Sequence, residues 1–195
     1  MPRIARQEVS SQFLHILNRG NDRSTVFHKD GDYAAFLRCF AAARARHSVP
    51  AFSFCLMPNH FHFVLEIEDP GGLAAFMQQW MTTHVRRYHA HYRTSGHLWQ
   101  GRFKSFPVTG DAHFLTVVRY VLQNPVRAGL VMRAVDWRWS SLHFPDLIDP
   151  PPVELPHDLQ EWLDEPLAHT DVDHLRALIN QPALLREPRQ PGQAP

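Results

Sequence analysis

The stretch Ala51-Phe52-Ser53-Phe54-Cys55-Leu56-Met57-Pro58-Asn59-His60-Phe61-His62-Phe63-Val64-Leu65-Glu66-Ile67 decides the fold. Ala51–Met57 is dense in aromatic and apolar residues and reads as a strand. Pro58-Asn59 breaks it, and residues 61–67 read as the next strand. Two strands joined by so short a turn form a hairpin, hence an antiparallel pair. Side chains alternate faces along a strand, so Phe61 and Phe63 point into a core under helices while His60 and His62 share the opposite face. Two residues advance a strand by about 6.6 Å, which lets both imidazoles converge on one ion. Histidine is the commonest metal ligand. The same pattern also fits two exposed strand histidines in a chain that has 14 histidines, so both readings stand at this point.

Working outward, residues 12–18 read as a strand, and Arg19-Gly20-Asn21-Asp22 as a turn cluster. Residues 30–46 carry Tyr33, Phe36, Leu37 and Phe40 at helical spacing, with Asp30 placed to cap the start. Asp69-Pro70-Gly71-Gly72 ends the hairpin. Residues 73–92 form a long helix with Leu73, Phe76, Met77 and Trp80 on one stripe. A polar, glycine-containing loop over 93–101 leads to a fourth strand over 102–108. Residues 111–123 form a third helix, with Asp111 as cap and Asn124-Pro125 as terminator, because proline disfavours helix in the residue before it. The order strand, helix, strand, strand, helix, strand, helix places the chain in the α+β class: an antiparallel sheet covered by helices on one face. After Trp139-Ser140-Ser141 the chain turns proline-rich and acidic, with short helices expected over 158–162 and 172–179 and disorder over 186–195. The expected division is a domain over 1–145 and an acidic extension over 146–195.

Composition sets outer bounds. At 195 residues with 44% hydrophobic content, the chain suits one domain plus a tail. No apolar run approaches the ~20 residues of a membrane span. Residues 1–10 are polar without an apolar signal core, so a cytoplasmic location is expected. Cys39 and Cys55 form neither a disulfide framework nor a CxxC zinc pair, and read as buried small hydrophobes. The net charge of +1 conceals a split. Up to Pro145 there are 17 Lys+Arg against 9 Asp+Glu, and from Asp146 onward 3 against 10. The front is therefore the candidate for a polyanion partner. Its basic residues are arginine except for Lys29 and Lys104. Arginine forks fit phosphates bidentately, although arginine bias in a GC-rich genome gives the same count.

Two further segments bear on chemistry. In Arg119-Tyr120-Val121-Leu122-Gln123-Asn124-Pro125-Val126-Arg127-Ala128-Gly129, Tyr120 and Asn124 stand four apart on a helix, about 5–6 Å between Cβ atoms. A phenol there could attack phosphorus while the Asn124 amide oxygen helps hold a cation. With a pKa near ~10 the phenol needs a base or a polarised target. The alternative is a core tyrosine beside a helix-ending asparagine. In Ser95-Gly96-His97-Leu98-Trp99-Gln100-Gly101-Arg102-Phe103-Lys104-Ser105, Trp99 can stack on a base while Arg102 and Lys104 neutralise phosphates. Alternatively, Trp99 anchors the core.

Taken in order, these blocks resemble the REP-associated tyrosine transposases, within the insertion-sequence transposases that carry one tyrosine and a His-hydrophobe-His motif. The resemblance runs from Phe13 to Ser141 through Asn18-Arg19-Gly20-Asn21, Leu56-Met57-Pro58-Asn59-His60-Phe61-His62, Gly96-His97-Leu98-Trp99-Gln100-Gly101-Arg102-Phe103, Arg119-Tyr120, Asn124-Pro125-Val126-Arg127-Ala128-Gly129 and Trp139-Ser140-Ser141. It implies a ferredoxin-like or RRM-like sheet with flanking helices. It implies His60 and His62 as metal ligands with Asn124 as a third, Tyr120 as nucleophile, and Mg²⁺ or Mn²⁺ as the cofactor, Zn²⁺ being left open because imidazole suits softer ions. The implied reaction cleaves single-stranded DNA beside a hairpin through a 5′-phosphotyrosine link and rejoins it. Arg19, Trp99, Arg102, Lys104 and Arg127 are the expected DNA contacts, and the protein is expected to act as a monomer or homodimer. A non-catalytic hairpin-binding descendant is the alternative. His15, in the first strand, could lie beside the site but is expected to be structural, and His97 is a candidate proton carrier or DNA contact. The acidic extension beside a basic domain raises the hypothesis of self-inhibition.

Overall fold

The computed structural model describes residues 12–180. The expectations for residues 1–10 and 186–195 lie outside the described residues. The order is β1 (Gln12–Arg19), α1 (Asp30–His47), β2 (Ala51–Met57), β3 (His60–Ile67), α2 (Pro70–Tyr92), β4 (Lys104–Val108), α3 (Asp111–Leu122), α4 (Asn124–Arg127), α5 (Leu159–Asp164) and α6 (His169–Asn180), with 3-10 turns between.

The four strands form one antiparallel sheet in the order β2-β3-β1-β4. That is the ferredoxin-like arrangement: two strand-helix-strand halves, each leaving a gap that a strand of the other fills. β3 and β1 lie at the centre, where Leu17 pairs with His62 and Arg19 with His60. The chain sense then gathers the end of β1, the starts of β3 and β4, and the loops between them at one end of the sheet.

Strand alternation sorts two cores. Phe61, Phe63 and Leu65 face α1 and α2, joining Phe36, Phe40, Phe76 and Trp80. The rings of Phe40 and Phe63 stand 4.7 Å apart, and those of Phe63 and Trp80 4.8 Å. Losing one such buried ring costs about 3–5 kcal/mol. On the opposite face Leu17, Val64, Phe106 and Val108 meet α3 through Phe114, Val117, Val118 and Val121. Leu163, Leu167, Val172, Leu175 and Ile179 belong to this second core as well. Helices therefore cover both faces, not one: the second face would otherwise leave β4 and the apolar side of α3 in water. The stretch set apart by its acidic, proline-rich composition supplies those five buried side chains.

Several helix starts differ from expectation, each for a local reason. Asp32, not Asp30, receives the backbone N–H groups of His28 and Lys29, while Asp30 pairs with Arg138. α2 begins at Pro70, because Asp69 caps it through the N–H groups of Gly71 and Gly72. Proline in the first turn gives up an N–H that has no helical partner anyway. α3 is preceded by Gly110 at φ 74°, with Asp111 already helical. Asn124-Pro125 does not end the helical path. It opens a new turn, in which Arg127 N–H bonds the Gln123 carbonyl at 3.0 Å. Among the described residues no helix is long and apolar enough to cross a membrane.

Candidate active site

β3 alternation places His60 and His62 on the α3 face, with ring centres 5.0 Å apart. β1 delivers His15 to the same face through the neighbouring strand. His15 Nε2 and His62 Nδ1 share a hydrogen bond of 2.9 Å. α3 brings Tyr120 against this pair, its ring centre 6.1 Å from both His62 and His15. One turn on, the Asn124 side chain lies beside His60, close enough to favour its protonated form. His60 Nδ1 lies 2.7 Å from Asn59 Oδ1. The strand-borne imidazole pair and the helix-borne phenol and amide thus meet at one end of the sheet.

Burial sets the charge state. It holds His15 down to about 3, aided by the nearby His113 and Arg127. It holds His60 down to about 4, with Arg19 adding to the shift and the Asn124 side chain opposing it. Burial, then His60 and His15, push His62 well below the ordinary range. All three rings are therefore neutral at neutral pH, which is the form that offers a lone pair to a cation.

The donor set fits a divalent ion. His62 engages Nδ1 with His15, and one ring nitrogen of a metal-binding histidine is ordinarily fixed by such a partner while the other faces the ion. Asn124 leaves Nδ2 buried and unpartnered. A half-turn of the amide would exchange that atom for the oxygen. No carboxylate takes part, and among the described residues no group of three or more His, Cys, Asp and Glu is arranged to hold a metal.

The expected DNA contacts differ in exposure. Arg19 is half-buried beside His60, and Arg102 is exposed on the loop before β4. Trp99 is 6% exposed and packs on Phe27, Phe36, Phe61 and His84, so it anchors the core. Its strand partner is Gly20, where an added Cβ would lie 2.3 Å from the Ser24 carbonyl. Lys104 donates to the Ile179 carbonyl at 2.5 Å. Arg127 is folded back over Tyr120, its guanidinium carbon 4.0 Å from the ring centre. His97 is exposed on the loop before β4.

Sequence reasoning left one feature open and missed another. The role of His15 has no local motif, since it depends on β1 lying beside β3. The second does have a signal: His84-Val85-Arg86-Arg87-Tyr88-His89-Ala90-His91-Tyr92-Arg93 interleaves aromatic and basic residues. It forms the last turns of α2, with Arg86, Arg87, His91 and Arg93 outside the core. Tyr92 ties this end to Asp32 at 2.6 Å, and His28 to Tyr88 at 3.0 Å. The helix then runs into the loop whose Leu98 and Gln100 backbones bond Asn21 and Arg19.

Residues 8–124 match the family model described as "Transposase IS200 like". A REP-associated tyrosine transposase of Escherichia coli is 25% identical over 91 residues, which cover 47% of this chain and 53% of that protein. A Haemophilus influenzae protein provisionally given the same name is 26% identical over 102 residues, covering 47% of this chain and 57% of that protein. The chain thus spans about half the length of the curated relatives it matches. The structure of a REP-associated tyrosine transposase bound to a REP hairpin is similar with a TM-score of 0.55 at 19% identity, over 74% of this chain and 84% of that one. At that identity the likeness is one of fold.

Proposed function

The chain belongs to the IS200-like transposase family, and on that footing we propose that it cleaves and rejoins single-stranded DNA beside a hairpin, with Tyr120 as nucleophile. The observation that carries the reading is the meeting of Tyr120 with His62 at 6.1 Å and of Asn124 with His60. A phenol, two neutral imidazoles and an amide are the groups such a reaction needs, and they converge from separate elements.

The Tyr120 oxygen attacks the scissile phosphorus. A phosphotyrosine ester forms on the 5′ side, the bond from phosphorus to the 3′ oxygen breaks, and that oxygen takes up a proton as the phenol gives one to solvent. Attack by another 3′-OH reverses the step, so the phosphoester energy is kept and no nucleotide triphosphate is consumed. A divalent cation held by His60, His62 and Asn124 would supply Lewis-acid polarisation of a non-bridging phosphate oxygen when bound. His15 fixes the His62 ring through their shared hydrogen bond. Arg19, Arg102 and the outward-facing arginines of α2 surround the same end of the sheet and suit the hairpin phosphates. That the hairpin is the partner draws support from the REP hairpin bound by the similar solved structure.

Purified protein incubated with hairpin-tailed DNA and Mn²⁺ tests the reading. A covalent adduct should appear on a denaturing gel and vanish in Tyr120→Phe. A second reading, hairpin binding without cleavage, is favoured by one fact: Tyr120 is only 5% exposed, so little of the residue meets solvent. Tight binding with no adduct under any divalent metal would establish that reading and remove the first.

A further inference from the structure

Arg127 reaches back along the helical path to Tyr120. Its Nη2 donates to the Tyr120 carbonyl at 2.6 Å. Its guanidinium carbon stands 4.0 Å over the phenol ring. Its Nη1 is buried and meets no hydrogen-bond partner. Arg127 is also close enough to weigh on His15, His60 and His62, disfavouring protonation of all three. A half-buried cation therefore lies over the ring of the nucleophile and near the imidazole cluster, with one arm engaged and one arm without a partner.

We propose that Arg127 is a catalytic residue: it lies against the Tyr120 phenol and offers Nη1 to a non-bridging oxygen of the scissile phosphate. The proposal rests on the tyrosine-cleavage reading above. Holding the end of α3 requires only the Nη2 bond to the Tyr120 carbonyl. A leucine or methionine would fill the same space without burying a charge, and a buried donor without a partner is costly. An anion is the group that makes the arrangement favourable. The guanidinium fork is suited to phosphate, and its face to an aromatic ring.

The chemistry balances with Arg127 unchanged. In cleavage the phenol loses its proton to solvent as the tyrosyl O–P bond forms, and the departing 3′ oxygen gains one from solvent. In rejoining, the 3′-OH gives its proton to solvent as it forms the new P–O bond, and the phenolate leaves with its electron pair and takes up a proton from solvent. Negative charge builds on the phenol oxygen at one extreme and on the phosphate oxygens midway, both within the reach of one fixed cation. Preorganised donors at developing charge are worth about 10²–10³ in rate.

The decisive measurement is single-turnover adduct formation at saturating protein with hairpin-tailed DNA and Mn²⁺, alongside hairpin affinity by anisotropy. Arg127→Gln keeps a donor for the Tyr120 carbonyl and removes the charge. It should slow adduct formation by about 10²–10³-fold while hairpin affinity and the near-UV circular dichroism stay as in wild type. Arg127→Lys should recover part of the rate, as should guanidinium ion added to the glutamine variant. An unchanged rate in Arg127→Gln overturns the proposal and leaves the tyrosine reading intact. A drop in rate that is matched by the drop in affinity also overturns it, making Arg127 a hairpin-binding residue only. If the glutamine variant does not fold, Arg127→Lys decides: a slowed rate at wild-type affinity supports the fork, and a wild-type rate refutes it. Failure of wild type itself to form an adduct sinks the cleavage reading and this one with it.

Discussion

Acidification should unfold this protein through its buried histidines. His15, His62 and His84 are 1–3% exposed, and His60 is half-buried. Burial holds His15 at about 3, His60 and His84 at about 4, and His62 well below its ordinary value of 6.5. Below pH 6.5 the unfolded chain takes up protons that the folded chain refuses. Stability present above that pH is therefore lost as pH falls toward 4. At about pH 5.5 an imidazole held at 4 has cost the folded state about 1.4 kcal/mol. His15 and His62 share a hydrogen bond and titrate as a pair, so counting that pair once gives about 4 kcal/mol for the set. Typical total stability is about 5–15 kcal/mol, so the loss is a large part of it. Urea unfolding in chelator, followed by tryptophan fluorescence at about pH 7.5 and 5.5, reads the difference directly. His84 supplies an internal control on the face away from the candidate site, where its ring sits edge-on to Phe36 at 4.8 Å with Nδ1 unpartnered. His84→Phe should remove about 1.4 kcal/mol of the pH-dependent loss. A wild-type stability that is flat between the two pH values, or a His84→Phe protein with an undiminished slope, refutes the reasoning.

Four further outcomes are expected. His15→Phe should lower Mn²⁺ affinity about 10–100-fold by calorimetry, because it removes the bond that orients His62; unchanged affinity would make His15 structural only. Removing Arg86, Arg87 and Arg93 together should weaken hairpin binding and flatten the plot of log affinity against log salt by about 0.7–0.9 for each phosphate left without its arginine; an unaltered slope excludes α2 from the interface. Trp99→Ala should cost about 3–5 kcal/mol of stability in thermal or urea melts, with hairpin affinity kept by the folded fraction. Neutralising Glu154, Glu161 and Asp173 should tighten DNA binding at low salt and have no effect at high salt, whereas equal affinity at both ends removes the idea of an acidic segment opposing DNA. Neutralisation is the cleaner test, since deleting the segment would strip Leu163, Leu175 and Ile179 from the second core.

What was legible in the sequence follows from the range of the interactions involved. The hairpin over Ala51–Met57 and His60–Ile67 was readable because alternation and the Pro58-Asn59 turn are local. The long helices were readable because their apolar stripes are wide. Tyr120 and Asn124 were readable as a pair because one helical turn relates them. Cap assignments failed because Asp32 takes the N–H groups of His28 and Lys29 while Asp30 pairs with Arg138, a residue far along the chain. The fate of Trp99 was undecidable, because a tryptophan between glycines reads alike as a stacking platform or as an anchor. Its burial depends on the bridge to Gly20, far away along the chain. The second helical layer was hidden for a different reason. Its helices are short and its composition acidic, so nothing in Leu163 or Leu175 announces which face they will cover.

The register of β3 against β1 is where stability and chemistry are bound together. Phe61 and Phe63 are fully buried against α1 and α2, and that requirement turns His60 and His62 toward α3. A slip of one residue would send both rings to the α3 face and both imidazoles into the aromatic core, where burial would cost hydrogen-bond partners as well as packing. The aromatic core therefore selects the imidazole geometry before any ligand arrives. On the other side the site is only half specified by local pattern: His15 enters through strand pairing, and Arg127 through the turn that Asn124-Pro125 opens rather than ends. A helix terminated at Gln123 would keep Tyr120 in place and lose the cation over its ring. The short α4 is thus the element through which the sequence Asn124-Pro125-Val126-Arg127 converts a buried core tyrosine into one flanked by charge.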